Sequence, residues 1–397
     1  NRLVWLAGEL GGIRPRHQVG AMAAECDLRA APIAVTRRAA QRRPSPPMTL
    51  IAVLRHLAFA ATLALLSAAT VRLMIAVRVL DHPNARSAHR EPTPKGGGVG
   101  IVTAFLVGVV VLYRYADFAR LADPYFLAVI GAASAIALVG LLDDLLNWPF
   151  TVKLAAQVLA ALVAVGSGLY LRDYRLPYIG GFYVGWLGLP ITVCWILFAT
   201  NAMNFIDGLN GLAAGVTLVT CAFLAVIAEA HAGWFAYFAA LLLAAGVVGF
   251  LPFNFPRARI FMSDVGSQFC GFVLAVLAVV ASRFQGDELS FLVVPMLLSG
   301  VLFDVAFTLV RRRLSGERIT QAHRGHLYQV AARAGVPASA VALLHAGFAV
   351  FGGLVALAFI AASGTAKPWI PLLALLPQII WLAYVTRRAR LAGLGQW

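Results

Sequence analysis

The chain reads as an all-α, polytopic membrane protein of about eleven helices, and three observations lead there. Of its 397 residues, 61% are hydrophobic and only 12% charged, where soluble domains carry about 25% charged residues. The apolar residues come in runs of about 20, the length at which a helix crosses a bilayer. The polar residues gather in short clusters at the edges of those runs: Asp143-Asp144, Asn201–Gly211 and Phe261–Gly266. An ionised carboxylate beside a bilayer is costly and marks a site for a cation or a substrate. Four of them (Asp143, Asp144, Asp207 and Asp264), with several amides, look like one catalytic surface assembled from several helices.

The first 47 residues differ from the rest. They hold eight arginines, lack an apolar run of spanning length and end in a Pro-rich stretch before Met48. Residues 1–47 are expected to be an extension without a fold, a transit-type peptide being the alternative; residues 48–390 form a single transmembrane domain. Its helix cores are expected at 52–74, 98–115, 124–142, 153–170, 184–202, 210–230, 233–251, 266–282, 289–310, 338–362 and 369–386. The edges at 184–202 and 233–251 are soft, so the count spans ten to twelve.

Lys and Arg set the orientation. With the loop 75–97 in the cytosol and the sides alternating, 17 basic residues fall on the cytosolic side and six opposite, apart from Arg55 and residues 1–47. The positive-inside rule then makes the first helix enter from outside and leaves the C-terminus in the cytosol. Asp81–Gly98, Asp143–Lys153, Asn201–Gly211, Pro252–Gly266 and Arg311–Arg333 all come to the cytosolic face. The site is expected there. The net charge of +15 fits cytosolic anchoring and anionic lipids or substrates, with no nucleic acid. The four cysteines have no paired spacing, so neither disulfides nor a zinc site is indicated.

Each cluster has a chemical and a plain structural reading. Asp143 and Asp144, neighbours at a helix end, point about 100° apart and so have different tasks; the alternative is an interfacial anchor. Asp264 could cap the helix that follows, or join Asp207 in an oxygen-rich Mg²⁺ site that takes one or two carboxylates plus phosphate oxygens. Asn201, Asn204, Asn210, Gly208 and Gly211 around Asp207 suit close backbone approach and hydrogen bonding to a nucleobase or sugar, or a tight helical connection. Phe261, with Phe253 and Phe255 around Asn254, could stack on a base, though most such aromatics are belt residues. His323, Arg324 and His326, with Arg311, Arg312, Arg313 and Arg318, form a basic strip suited to pyrophosphate; positive-inside anchoring accounts for the triple arginine. Gly96-Gly97-Gly98 after Lys95 is too short for a phosphate-binding loop.

Together the clusters resemble the polytopic polyprenyl-phosphate sugar-1-phosphate transferases, the superfamily that starts O-antigen, common-antigen and teichoic-acid linkage synthesis and includes phospho-N-acetylmuramoyl-pentapeptide transferase. The match runs in order from about residue 72 to 333: Asp81-His-Pro-Asn84 with Arg86, His89, Pro92 and Gly97-Gly98; Gly140-Leu-Leu-Asp-Asp144; Asn201–Gly211; Asn254 through Asp264-Val-Gly266; and His323-Arg-Gly-His326. The resemblance implies attack of polyprenyl phosphate on the β-phosphate of a UDP-N-acetylhexosamine, releasing UMP, with Mg²⁺ required and Mn²⁺ a substitute, in the bacterial inner membrane. It implies that Asp143 is base or nucleophile toward the lipid phosphate, and that Asp264 coordinates the metal with Asp144 in support. Asp207, Asn201, Asn204, Asn254 and Phe261 would hold the uridine nucleotide; His323, Arg324 and His326 would contact diphosphate or sugar. Lys95 and Lys153, in the same clusters, join the substrate-binding set. Asn210 stands where many members have a second aspartate, and His-Arg-Gly-His replaces the three-histidine run of the muramoyl-pentapeptide enzymes. That favours the O-antigen-initiating branch over the peptidoglycan one. A homodimer is compatible with the sequence. A secondary transporter is the rival from another class, but its charges belong near the bilayer midplane, with inverted repeats; here they sit at helix ends.

Overall fold

The computed structural model describes residues 49–81, 91–115, 124–171, 173–176, 180–282, 290–318 and 323–394. The expected N-terminal extension, and His82–Arg90 with Arg86 and His89, lie outside the described residues.

The helices begin and end where local chemistry directs. α1 (Leu50–Val77) starts at Thr49, whose hydroxyl accepts the Ala52 N–H at 3.3 Å, and stops at Arg78, in the left-handed region at φ 56°. α2 (Gly98–Tyr115), α3 (Pro124–Leu146) and α4 (Phe150–Gly166) follow, α4 opening directly after Pro149. Then come α5 (Gly188–Ile206), α6 (Leu212–Ala230), α7 (Trp234–Asn254) and α8 (Ser263–Ala281). The expected span 289–310 is corrected by the structure. It divides at Leu298 into α9 (Val293–Leu297) and α10 (Ser299–Leu314), with Leu298 in the bridge region at φ −91°, ψ 10°. Hydropathy cannot register one residue leaving the helical well. α11 (Leu327–Arg333) is a short helix, α12 (Ala338–Ala361) a long one, and a 3₁₀ stretch over Lys367–Leu375 continues as α13 (Leu376–Leu391).

Among the described residues, nine helical segments are long and apolar enough to span a membrane, and α4, at 17 residues, is a shorter apolar helix. The protein is an all-α, multi-pass membrane protein. Two small antiparallel ribbons depart from pure helix: β1 (Leu80–Asp81) pairs with β2 (Thr93–Pro94), and β3 (Asp173–Leu176) with β4 (Gly180–Tyr183).

The bundle is built around α8, 94% of whose spanning window is buried, whereas α1 is only 11% buried and turns Leu54, Leu57, Leu65 and Leu73 outward. Inside a bilayer, helix packing relies on small residues that let backbones approach. One such crossing is Gly98 against Gly266: a Cβ on Gly98 would fall 2.3 Å from the Gly266 backbone. This contact brings the start of α2 onto the start of α8, where Asp264 lies.

Candidate active site

The site assembles at the common end of α3, α4, α5, α7 and α8. Asp264, in the first turn of α8, is its hub. Its Oδ2 accepts from Lys153 Nζ and from Gln268 Nε2, both at 2.9 Å, and its Oδ1 accepts from Asn204 Nδ2 at 2.9 Å. Lys153 Nζ also donates to Asp143 Oδ2 at 2.9 Å, so one ammonium joins α3 and α8 from α4. Behind this pair the amides continue. Gln157 Nε2 donates to Gln268 Oε1 at 2.9 Å, and Asn201 Nδ2 donates to Gln157 Oε1 at 2.6 Å. Charged groups this enclosed require compensation by partners and hydrogen bonds. The chain from Asn201 to Asp143 supplies it.

The adjacent aspartates do diverge. Asp143 turns to Lys153, while Asp144 turns to a cavity of about 820 Å³ and stands 3.5 Å from the Val265 N–H. The cavity is also lined by Asp81, Lys95, Asn204, Asp207, Asn254, Phe261, Asp264 and Arg324. Asp143, Lys153, Asn201, His323 and His326 of the expected set do not line it; the first three form the network behind its floor. The Ser263 backbone N–H lies near enough to Asp207 to act on its carboxyl. Ser263 is held at φ 63°, unusual for a residue other than glycine. Burial, then the charges of Asp264 and Asp144, push the Asp207 carboxyl well above the ordinary carboxylate range. Negative charge is therefore concentrated on the cavity floor.

Several expected residues prove to have framework duties. Asn254 borders the cavity, but its Oδ1 accepts the Gly211 N–H at 2.6 Å and its Nδ2 donates to the Ile260 carbonyl at 2.9 Å. The Gly96–Gly98 amides are likewise engaged, by Ser263 Oγ at 3.1 Å, the Phe261 carbonyl at 2.8 Å and the Met262 carbonyl at 3.0 Å. No phosphate loop is formed there, and the stretch instead sets Lys95 beside the floor. In the basic strip, Arg312 is buried, binds the Arg318 carbonyl at 2.6 Å and pairs with Glu317 at 2.9 Å.

The opposite wall comes from residues 323–336. Arg324, Gln329 and Arg333 line the cavity, and Arg333 Nη1 donates to the Arg324 carbonyl at 3.2 Å. His323 accepts the Gly325 N–H on Nδ1 at 3.1 Å; burial, then His326, Arg312 and Arg311, lower its pKa to about 4. Tyr328 ties this wall to the Asp207 segment, its hydroxyl donating to the Phe205 carbonyl at 2.9 Å. Gly208 is required beneath it, since a Cβ there would lie 2.2 Å from that hydroxyl.

Sequence reasoning missed Gln157, Gln268, Asp304, Gln329, Arg333 and Ser267, whose hydroxyl accepts from Asn204 Nδ2 at 2.9 Å. Two signals were available. Gln157 and Gln268 each follow a named charge by four residues, one turn along the same helix face. Asp304 is an acid inside an apolar run.

Comparison with known proteins agrees with this geometry. Residues 126–282 match the model of glycosyl transferase family 4. A Bacillus subtilis protein described as a probable undecaprenyl-phosphate N-acetylglucosaminyl 1-phosphate transferase is 32% identical over 259 residues, 65% of this chain and 70% of that one. The decaprenyl-phosphate N-acetylglucosaminephosphotransferase of Mycobacterium tuberculosis is 32% identical over 285 residues, 64% of this chain and 70% of that one. A phospho-N-acetylmuramoyl-pentapeptide-transferase of Acetivibrio thermocellus is 31% identical over 266 residues, 62% and 76% of the two chains. A multi-pass membrane protein with an acidic cavity at one end of its bundle, the chain belongs to glycosyl transferase family 4, among the polyprenyl-phosphate sugar-1-phosphate transferases.

Proposed function

We propose that this protein transfers N-acetylhexosamine 1-phosphate from a UDP-sugar to polyprenyl phosphate, releasing UMP and starting an envelope polysaccharide. The carrying observation is the Asp143–Lys153–Asp264 bridge at and behind the floor of a polar cavity, at the end of a bundle of apolar helices. There a nucleotide from water and a phosphate on a membrane lipid can meet. The bond formed joins the lipid phosphate oxygen to the donor β-phosphorus; the bond broken is that from the β-phosphorus to the oxygen bridging to the α-phosphate. The pair of relatives named for N-acetylglucosamine supports N-acetylglucosamine as the first donor to test. The basic-residue asymmetry supports a cytosolic site and C-terminus in the inner membrane.

The floor suits Mg²⁺. Among the described residues no three His, Cys, Asp or Glu side chains are grouped to hold a metal, yet Mg²⁺ needs only one or two carboxylates, with water and phosphate oxygens completing the shell. Asp264 and Asp144 would hold it, and the repulsion evident at Asp207 is what a cation there relieves. Bound, Mg²⁺ supplies neutralisation of donor phosphate charge. Phosphoryl transfer is otherwise mostly positioning. Lys153 holds Asp143 and Asp264 in place, Asn204 orients Asp264, Arg324 takes donor phosphate, and Asp143, behind the floor, would remove the acceptor proton from a lipid phosphate that reaches it.

The test is purified protein with radiolabelled UDP-N-acetylglucosamine and undecaprenyl phosphate, with and without EDTA. Lipid-linked product that EDTA abolishes and Mg²⁺ restores is expected; no product across a donor panel would refute the reading. UMP release without acceptor would replace the base role of Asp143 with a covalent one.

A further inference from the structure

Asp304 lies on α10, 1% exposed, in a segment that is otherwise apolar apart from its basic end. A carboxylate so deeply buried needs its charge answered by hydrogen bonds, and it gathers four donors. Its Oδ1 accepts from the Leu327 N–H at 3.0 Å, from His326 Nδ1 at 3.1 Å and from Thr308 Oγ1 at 3.3 Å. Its Oδ2 accepts from the Tyr328 N–H at 3.0 Å. A plain capping role would account for the two backbone amides. It does not account for the imidazole.

A carboxylate accepts, so the geometry calls for His326 to carry a proton on Nδ1, which in the neutral ring leaves Nε2 as the acceptor. The ring is held on its faces as well. His323 stacks 4.9 Å away and Tyr328 5.9 Å away, while Phe205 is tilted at 6.0 Å. Through Tyr328 the same carboxylate fixes the hydroxyl that reaches the Phe205 carbonyl, two residues before Asp207. One buried acid on α10 thus ties the histidine of the basic wall to the turn that carries a floor carboxylate.

We infer that Asp304 is a positioning residue for the transfer reaction: it fixes His326 in the Nδ1–H tautomer and registers the basic wall against the Asp207 turn. The logic is that of a buried aspartate that orients a working histidine without itself reacting. The kinetic consequence rests on the transferase reading above; the tautomer does not.

The experiment uses full-length protein in nanodiscs and has two arms. In the first, ¹⁵N spectra of histidine-labelled protein are recorded, with His326→Gln assigning the signal. The wild type is expected to show His326 protonated on Nδ1, and Asp304→Asn to shift it toward the other tautomer. In the second, Asp304→Asn is expected to lower kcat by about 10- to 100-fold, the usual effect of removing a partner that orients a working histidine, with the donor KM little changed. Because the two residues act as a unit, Asp304→Asn should cost little further rate in a His326→Gln background. A merely structural acid would instead multiply the losses. Multiplied losses, near-normal kcat in Asp304→Asn, or a wild-type proton on Nε2 would each overturn the inference. The wild-type spectrum decides even where Asp304→Asn does not insert. An inactive wild type, by contrast, sinks the transferase reading.

Discussion

The floor of the cavity and its facing wall are built differently. On the floor, side chains from four helices hold one another: Lys153 spans Asp143 and Asp264, and Asn204 and Gln268 complete the Asp264 shell. On the wall, Gln329 and Arg333 stand on a seven-residue helix, with Arg324 just before it; the helix is secured mainly through its backbone, by Asp304 at one end and by Arg388 Nη2 donating to the Ala334 carbonyl at 3.0 Å at the other. The difference teaches where precision is needed. Groups that handle developing phosphate charge must already be placed, whereas groups that grip a substrate's outer parts can be set by the backbone of one short helix.

The comparison is broken most severely at its hub. Asp264→Asn should lower turnover a hundredfold or more, several kcal/mol of lost charge stabilisation, and weaken the Mg²⁺ dependence along with it. Product formation against Mg²⁺ concentration reads both; near-normal rates would undo the floor assignment. Lys153→Met comes next. It leaves two enclosed carboxylates facing each other, and for a partly exposed bridge the expected cost is about 2–3 kcal/mol of stability, with activity down at least about tenfold. Thermal denaturation and rate together check this, and Lys153→Arg should not restore the rate, because a planar fork does not replace a point charge between two oxygens.

The wall should yield more gently. Arg324→Ala is expected to raise the donor KM by about tenfold, roughly 1.4 kcal/mol of lost binding, with a smaller change in kcat. A kcat loss matching that of Asp264→Asn would erase the distinction between wall and floor. Asp207 offers a sharper contrast. Its pKa is raised in the fold, so near neutrality the unfolded chain is the more ionised and the buried charge weakens the native state. In EDTA, without nucleotide, Asp207→Asn should therefore raise Tm by about 2–4 °C while activity falls. A lower Tm would contradict the strain assigned to this carboxylate.

The smallest effect concerns His323, whose pKa of about 4 lies below the ordinary histidine value of 6.5. A depressed histidine binds its proton more readily in the unfolded chain, so its neutral form stabilises the fold above about 6.5 and that contribution fades as pH falls toward about 4. His323→Gln should flatten the Tm profile across that window. An unchanged slope between pH 7 and 5 would show that another group sets it.

The helices and the acidic quartet were legible because both write themselves locally: apolar runs of spanning length, and carboxylates too costly to leave at their edges without purpose. Even the divergence of Asp143 from Asp144 followed from the angle between neighbours on a helix. What was hidden depends on which helix lies beside which. Lys153 was named for substrate, yet its two carboxylate partners come from α3 and α8, a neighbourhood that no local pattern encodes. Asn254 looks like a nucleotide-reading amide and is placed as a clip between Gly211 and Ile260. Asp304 stood visible in its apolar run, but the donors that explain it lie more than 20 residues away.

The Gly98–Gly266 crossing has a mechanical consequence. With backbone against backbone and the Gly97 and Gly98 amides bonded across to 261 and 262, the strip bearing Lys95 and the root of α8 form one rigid jaw. Any widening to admit a bulkier sugar must come from the other jaw, residues 323–336. A single methyl group at position 98 would jam the packed half.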